Sequence, residues 1–369
     1  MSNLPPGTVF AGCRVEDIIG HGDMGVVYRA EELALQRLVA LKLILPDHSE
    51  DARVRERFRR ESKVAAAIDH QNVIPIFDAG EEQGVMYIMM RLVDGVDLGA
   101  VIESEGALAP TRAARIVRQV GAALDAAHAH GILHRDVKPS NVMLARRDHA
   151  YLTDFGLAKP ESSIDALTRH GTVVARVDYV APEQLLGQDV DARADIYALG
   201  CVLFEALTGV EPFQRAVAEA GLLARLEAPP PAPSSVRPDL PPAFDEVVAR
   251  AMARDPAERY PSGGDLGEAA LVAAGALRRA RPLSMVATGD AAFAQMGVPA
   301  ARVPAEPAAA AASARAGRAG GASGNAAGAP ASGDEAAAPA GALRWAIAVA
   351  GLVLVAVGMV AALHGISTL

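Results

Sequence analysis

Cysteine is scarce. Two residues, Cys13 and Cys201, in a chain of 369 supply neither a disulfide framework nor a four-thiolate metal site, and they read as reduced thiols. Aromatic residues make up only 4% of the chain, with a single tryptophan. Hydrophobic residues reach 51%, but so many are alanine that the figure overstates the expected core. Basic charge is not in excess either: 35 Lys and Arg against 44 Asp and Glu leave a net charge of −9. That balance argues against a nucleic-acid binder. The opening MSNLPPGTVF has no basic stretch followed by an apolar core, so no secretory signal is read.

What is present falls into zones. Residues from about 10 to 279 have globular texture, with apolar runs alternating with turn residues. From 280 to 342 the chain is nearly all Ala, Gly, Pro and Ser, side chains too small to offset chain entropy, and it reads as a disordered linker. Trp345–Leu363 carries no charge and as a helix spans about 28 Å, close to a bilayer core. A transmembrane helix is therefore expected over 343–363. Arg344 abuts its N-terminal end, with Arg302, Arg315 and Arg318 upstream, while His364–Leu369 has no Lys or Arg. The globular part is then expected in the cytoplasm and the short tail outside, in a single-pass cell-membrane protein.

The globular zone carries phosphate-handling signals in order. Gly20, Gly22 and Gly25 have G-x-G-x-x-G spacing, which also fits a dinucleotide site. The β-branched and polar VVYRAEE that follows favours a returning strand, so the glycines are expected in a hairpin over a nucleotide. In LVALKLIL, strand alternation puts Val39 and Leu41 on one face and Ala40 and Lys42 on the other. Glu61 begins the apolar face of a basic helix and is the candidate partner for Lys42. The string ILHRDVKPSNVML holds Asp136 as a proton acceptor, Lys138 as a phosphoryl-neutralising ammonium and Asn141 as a cation ligand. Asp154, in LTDFGLA, is a second hard-cation ligand.

GHGDMG, VALK, HRDVKPSN, DFG, APE at Ala181–Glu183, DARADIYALGCVLFEALTG and DPAERYPS occur in the order of one family. The chain resembles a eukaryotic-type (Hanks-type) serine/threonine protein kinase of the membrane-anchored bacterial branch, from about Val15 to Leu277. The resemblance implies an α+β, bilobal protein-kinase fold: a β-rich N-lobe over about 10–93 and a helical C-lobe over about 94–279. It implies ATP and Mg²⁺ as cofactors, with Mn²⁺ as an alternative cation. Gly20, Gly22 and Gly25 cover the phosphates, and Lys42, paired with Glu61, contacts them. Val27 and Ala40 sandwich the adenine against Met143; YIMMRLVDG is the hinge, with Met90 at the gatekeeper position and Val93 among the cofactor-binding residues. Asp136 and Lys138 are catalytic, and Asn141 and Asp154 hold the metal. Thr168 and Thr172 are the activation-loop phosphoacceptors. Glu183, Arg259 and Asp195 are structural, the first two as a buried ion pair. Protein substrates with Ser or Thr hydroxyls are implied, and transient homodimers for autophosphorylation in trans.

One departure stands out. Aligned on DYVAPE, Arg176 occupies the place of a threonine that normally hydrogen-bonds the catalytic aspartate; a second register puts Gly171 and Thr172 there instead. Arg176 is the one argument for the alternative, a low-activity or pseudokinase scaffold. A small-molecule phosphotransferase is a third class, disfavoured because APE marks an activation segment.

Overall fold

A computed structural model describes residues 3–22, 25–44, 52–155, 178–213 and 228–277. Its first lobe is a six-stranded antiparallel sheet in the order β1-β2-β3-β4-β6-β5. The strands are β1 (Val9–Phe10), β2 (Cys13–Gly22), β3 (Gly25–Glu32), β4 (Arg37–Ile44), β5 (Ile76–Glu82) and β6 (Val85–Arg91). Period-two alternation divides the sheet into two faces. Ala40, Lys42, Ile44, Ile88 and Met90 point inward; helix α1 (Ala52–Ala66) seats Phe58 and Ala65 in the same core as Ile44 and Ile88. Val39, Leu41, Leu43, Tyr28, Ala30 and Met89 point outward, yet they are buried too. Leu4, Phe10 and Cys13 cover them, so this sheet is enclosed on both sides. Burial pushes the Cys13 thiol up to about 11, which keeps it protonated and inert.

The second lobe is helical. Helix α2 (Leu98–Glu105) is capped by Asp97, whose carboxylate accepts the Ala100 N–H. Helix α3 (Pro110–Ala129) starts with proline at N1 and buries Ala113, Ile116, Val117, Val120, Leu124 and Ala127 at helical spacings. Then come β8 (Val142–Ala145) and β9 (His149–Leu152), which form a small antiparallel sheet with β7 (Val96–Asp97). After α4 (Pro182–Leu185), helix α5 (Ala192–Thr208) is buried along most of its length, from Ala194 to Leu207. Helices α6 (Pro233–Val236), α7 (Ala243–Ala251) and α8 (Gly263–Ala273) complete it.

Within the described residues Ala113, Ala114, Ala123, Ala127, Ala206, Ala251 and Ala270 are fully buried and belong to the helical core. Small side chains let helices approach closely. At the α3–α8 crossing a Cβ on Gly121 would lie 2.2 Å from the Gly263 carbonyl oxygen.

Thr168, Thr172, Arg176, the linker and Trp345–Leu363 lie outside the described residues. Among the described residues no helix is long and apolar enough to cross a membrane.

Glu183 and Arg259 lock the far side of this lobe. Two hydrogen bonds of 2.6 and 2.8 Å join the guanidinium to the carboxylate, and both residues are almost fully buried. Arg259 also donates to the carbonyls of Ala253 and Arg193 at 2.8 Å. Removing one partner strands a buried charge. Glu183→Ala is expected to lose about 3–5 kcal/mol of stability in urea unfolding, and the double variant Glu183→Leu with Arg259→Met considerably less. A single-variant loss under about 1 kcal/mol would contradict this account.

Candidate active site

The loop between α3 and β8 is organised by one buried carboxylate. Asp195, in the first turn of α5, accepts the backbone N–H of His134 and of Arg135, each at 2.8 Å, and the His128 Nε2–H at 2.8 Å. These bonds hold Arg135 at φ +60°, a left-handed conformation that a branched backbone rarely adopts without support. His134 carries the constraint onward. Its Nε2–H donates to the Thr153 carbonyl at 2.9 Å, its Nδ1 accepts the Asp136 N–H at 3.3 Å, and its ring lies 4.8 Å from that of Phe155. Those two bonds require the neutral tautomer with hydrogen on Nε2. Full burial pushes the imidazole pKa below its ordinary value, which agrees.

The polar groups of the cleft then follow. Lys138 Nζ is 3.4 Å from Asp136 Oδ2. Asn141 ends a 3₁₀ turn, Pro139–Asn141, and donates its Nδ2 hydrogens to the Asp136 carbonyl at 2.7 Å and to Asp136 Oδ2 at 3.1 Å. Its Oδ1 therefore remains an acceptor. Thr153 donates its N–H to the Asn141 carbonyl at 2.9 Å, and Asp154 follows at φ +58°. From the sheet, Lys42 is 7% exposed and places Nζ 2.7 Å from Asp154 Oδ1. The cleft thus holds two ammonium–carboxylate pairs, Lys42 with Asp154 and Lys138 with Asp136.

A cavity of about 540 Å³ contains these groups. Its walls include Gly20, Gly22, Val27, Ala40, Lys42, Met90, Val93, Asp136, Lys138, Asn141, Met143 and Asp154. Gly20 and Gly22 have room for a Cβ, with the nearest atoms at 3.9 Å. Glycine there is not demanded by packing against the protein, and it suits the close approach of a ligand to the backbone. Gly25 is different. It does not line this cavity, and a Cβ on it would lie 1.9 Å from the Leu43 carbonyl oxygen, so it serves the approach of β3 to β4. Asn141 Oδ1 and the Asp154 carboxylate are hard oxygen donors. Two protein ligands with room for phosphate oxygens fit Mg²⁺, which rarely takes a full protein cage. Among the described residues no group of three His, Cys, Asp or Glu could hold a metal by itself.

One expected pairing is not the one observed. Lys42 was expected to meet Glu61, but its ion pair is with Asp154. Glu61 instead lies 4.0 Å from Arg57 Nε and 3.8 Å from Arg60 Nη2, on its own helix. The physical reason is local supply: α1 is rich in arginine, and its cations reach Glu61 without crossing the cleft, whereas a buried ammonium takes the nearest carboxylate. Asp195 stands behind the loop rather than in the cavity, and Glu183 with Arg259 lies elsewhere in the lobe. Sequence reasoning passed over His134, although it stands inside the quoted HRD string. It also passed over Asp97, Ser140 and Ile74, which line the cavity. Ser140 lies between two chosen residues; Asp97 and Ile74 have no local pattern that marks them.

A model described as protein kinase domain matches residues 13–262. Serine/threonine-protein kinase PknD of Mycobacterium tuberculosis is 46% identical over 273 residues, 73% of this chain and 41% of the relative. Serine/threonine-protein kinase PknE of Mycobacterium bovis is 47% identical over 264 residues, 72% of this chain and 46% of the relative. The chain thus spans less than half the length of these curated relatives. The crystal structure of the Mycobacterium tuberculosis PknI kinase domain is similar with a TM-score of 0.62 at 35% identity, covering 73% of this chain and all of that one.

Neutral His134 has a consequence for acid stability. Its folded pKa is depressed, so the unfolded chain binds the extra proton as pH falls below about 6.5. Its contribution is fully present above that value and is lost progressively down towards the lowered folded pKa. Urea midpoints between pH 7.5 and 5 are expected to fall more steeply for the native chain than for His134→Asn. Equal slopes would show that burial leaves the imidazole pKa unshifted, and a shallower slope for the native chain that the imidazole is charged in the fold.

Proposed function

The chain belongs to the protein kinase domain family, and on that premise we propose that it is an ATP-dependent protein serine/threonine kinase tethered to the membrane. The observation that carries the reading is the gathering of Lys42, Asp136, Lys138, Asn141 and Asp154 around one cavity, with each ammonium paired to a carboxylate at 2.7 and 3.4 Å. A transferring phosphoryl group has little covalent demand; what it needs is alignment and compensation of charge.

Each residue then has a task. Val27, Ala40 and Met143 hold the adenine between apolar surfaces, and the backbone from Met90 to Val93 reads its edge. Gly20 and Gly22 let the hairpin backbone close on the phosphates. Lys42 binds the α- and β-phosphates. Asn141 and Asp154 are the oxygen donors for Mg²⁺, which when bound neutralises phosphate charge. Asp136 orients the substrate hydroxyl and accepts its proton. Lys138, two residues on, offsets charge on the transferred group and matches the serine/threonine pattern. Asp154 would hold the cation in place of Lys42, and Glu61, the candidate on α1, would then serve as the anion for the ammonium. Arg135 supports control by a phosphorylated threonine, for which Thr168 and Thr172 are the acceptors. The low-activity alternative rests on Arg176, outside the described residues.

Radiolabelled ATP with Mg²⁺ tests the catalytic assignment. Asp136→Asn is expected to lower phosphate transfer about 10²–10⁴-fold while binding of an ATP analogue changes little. Peptide mapping of the active chain is expected to find phosphate on Thr168 or Thr172. Transfer unchanged in the variant would remove Asp136 from the mechanism, and both threonines unmodified would remove loop control.

Tethering follows from Trp345–Leu363 and its flanking charge. The full chain is expected to stay with membranes through an alkaline carbonate wash, and a chain ending before Leu343 to be released. Release of both would leave a kinase without an anchor.

A further inference from the structure

A second cavity, of about 350 Å³, lies on the outer face of the six-stranded sheet. Among the described residues the β2–β3 hairpin and the end of β4 border both cavities, and His21, Gly22 and Ile44 line both. Strand alternation supplies most of the second cavity's apolar wall, while Asn3, His21 and Gln83 add polar lining. Val26, Leu43 and Val85 stand on the outward face beside Tyr28, and Leu4 and Phe10 of the N-terminal segment close it from above. None of its lining side chains carries a fixed charge.

Tyr28 supplies a polar handle. It is 2% exposed, and its hydroxyl oxygen accepts the Leu4 N–H at 3.1 Å. Among the described residues the hydroxyl hydrogen has no acceptor, and Tyr28 and Leu4 both line the cavity. A buried donor without a partner is costly, and filling that valence favours a ligand which brings an acceptor. A dry cavity of about 150 Å³ holds benzene, so this one has room for about two fused rings.

We propose that this cavity binds an uncharged, compact apolar molecule of about two fused rings bearing one hydrogen-bond acceptor, which takes the Tyr28 hydroxyl hydrogen. An occupant fills the space behind the glycine hairpin and holds it over the cleft. This coupling rests on reading the larger cavity as a nucleotide site; binding in the smaller one does not.

Two shape-matched probes test the site by equilibrium dialysis against the full chain in detergent: 2-acetylnaphthalene, which has an acceptor, and 2-ethylnaphthalene, which has none. The filled variant Val85→Trp in the same detergent corrects for partition into micelles, with Leu43→Phe as a second filled variant should the first not fold. Saturable binding is expected, about fivefold tighter for the ketone, with the preference lost in Tyr28→Phe and all binding lost in the filled variants. No saturable binding, undiminished binding to a folded filled variant, or a preference that survives Tyr28→Phe would overturn the proposal. With the ketone saturating, affinity for an ATP analogue is expected to rise about fivefold. Unchanged affinity would overturn the coupling. A chain that binds the ketone but no ATP analogue would overturn the nucleotide reading and leave the second site standing.

Discussion

The site depends on a carboxylate that never enters it. Asp195 is buried on α5 and compensated by three donors, two of them backbone N–H groups of consecutive residues. A buried charge with its valences filled is rigid, because every displacement leaves a donor or the charge itself unpaired. That rigidity holds Arg135 in a left-handed conformation and sets the direction in which Asp136 leaves the loop. His134 then ties the loop to Thr153 through its ring, so Asp136 and Asp154 belong to one hydrogen-bonded body although they sit on separate segments. The helical lobe fixes the chemistry; the sheet lobe brings Lys42 to it.

Lys42 connects the lobes by a bond that functions only if it can be exchanged. An ammonium this buried requires an anion, and Asp154 at 2.7 Å provides one. The same carboxylate is a cation ligand in the proposed mechanism, and it cannot serve both partners fully at once. Glu61 is the carboxylate that the proposed mechanism assigns to resolve the conflict, and here it lies 4.0 Å from Arg57 Nε and 3.8 Å from Arg60 Nη2 on its own helix. The balance between these pairings is set by electrostatics on a single helix. An arginine-rich α1 therefore weights the chain towards the arrangement in which Lys42 and Asp154 neutralise each other.

Local patterns carried much of this into the sequence. Alternation in VALK separated Ala40 and Lys42 from Val39 and Leu41, and the faces of β4 are divided in that way. The return strand after Gly25 was legible from VVYRAEE because a β-branched run has few other solutions. Other features depend on what lies across space. Burial of the outward face of β4 comes from Leu4 and Phe10, which no periodicity in β4 announces. Alanine reads as a weak core residue until the helices are known to cross closely, as α3 and α8 do at Gly121 and Gly263. The choice of Lys42 between Asp154 and Glu61 is a competition among five charged side chains, and spacing along the chain does not rank them.

The glycine motif shows why spacing alone underdetermines function. Among the described residues a methyl group at Gly20 or Gly22 would meet nothing closer than 3.9 Å, which leaves the backbone there open to the close approach of a ligand. At Gly25 the fold itself forbids a methyl group, because the Leu43 carbonyl is already in its place. Two glycines thus answer to a ligand and the third to β4. A hairpin with both obligations has little freedom to slide in register but can still tilt about its β4 contact. Its outward side borders the second cavity and its inward side the first. His21 and Gly22 of this hairpin line both cavities, so the proposed occupant of one would touch the same backbone that borders the other.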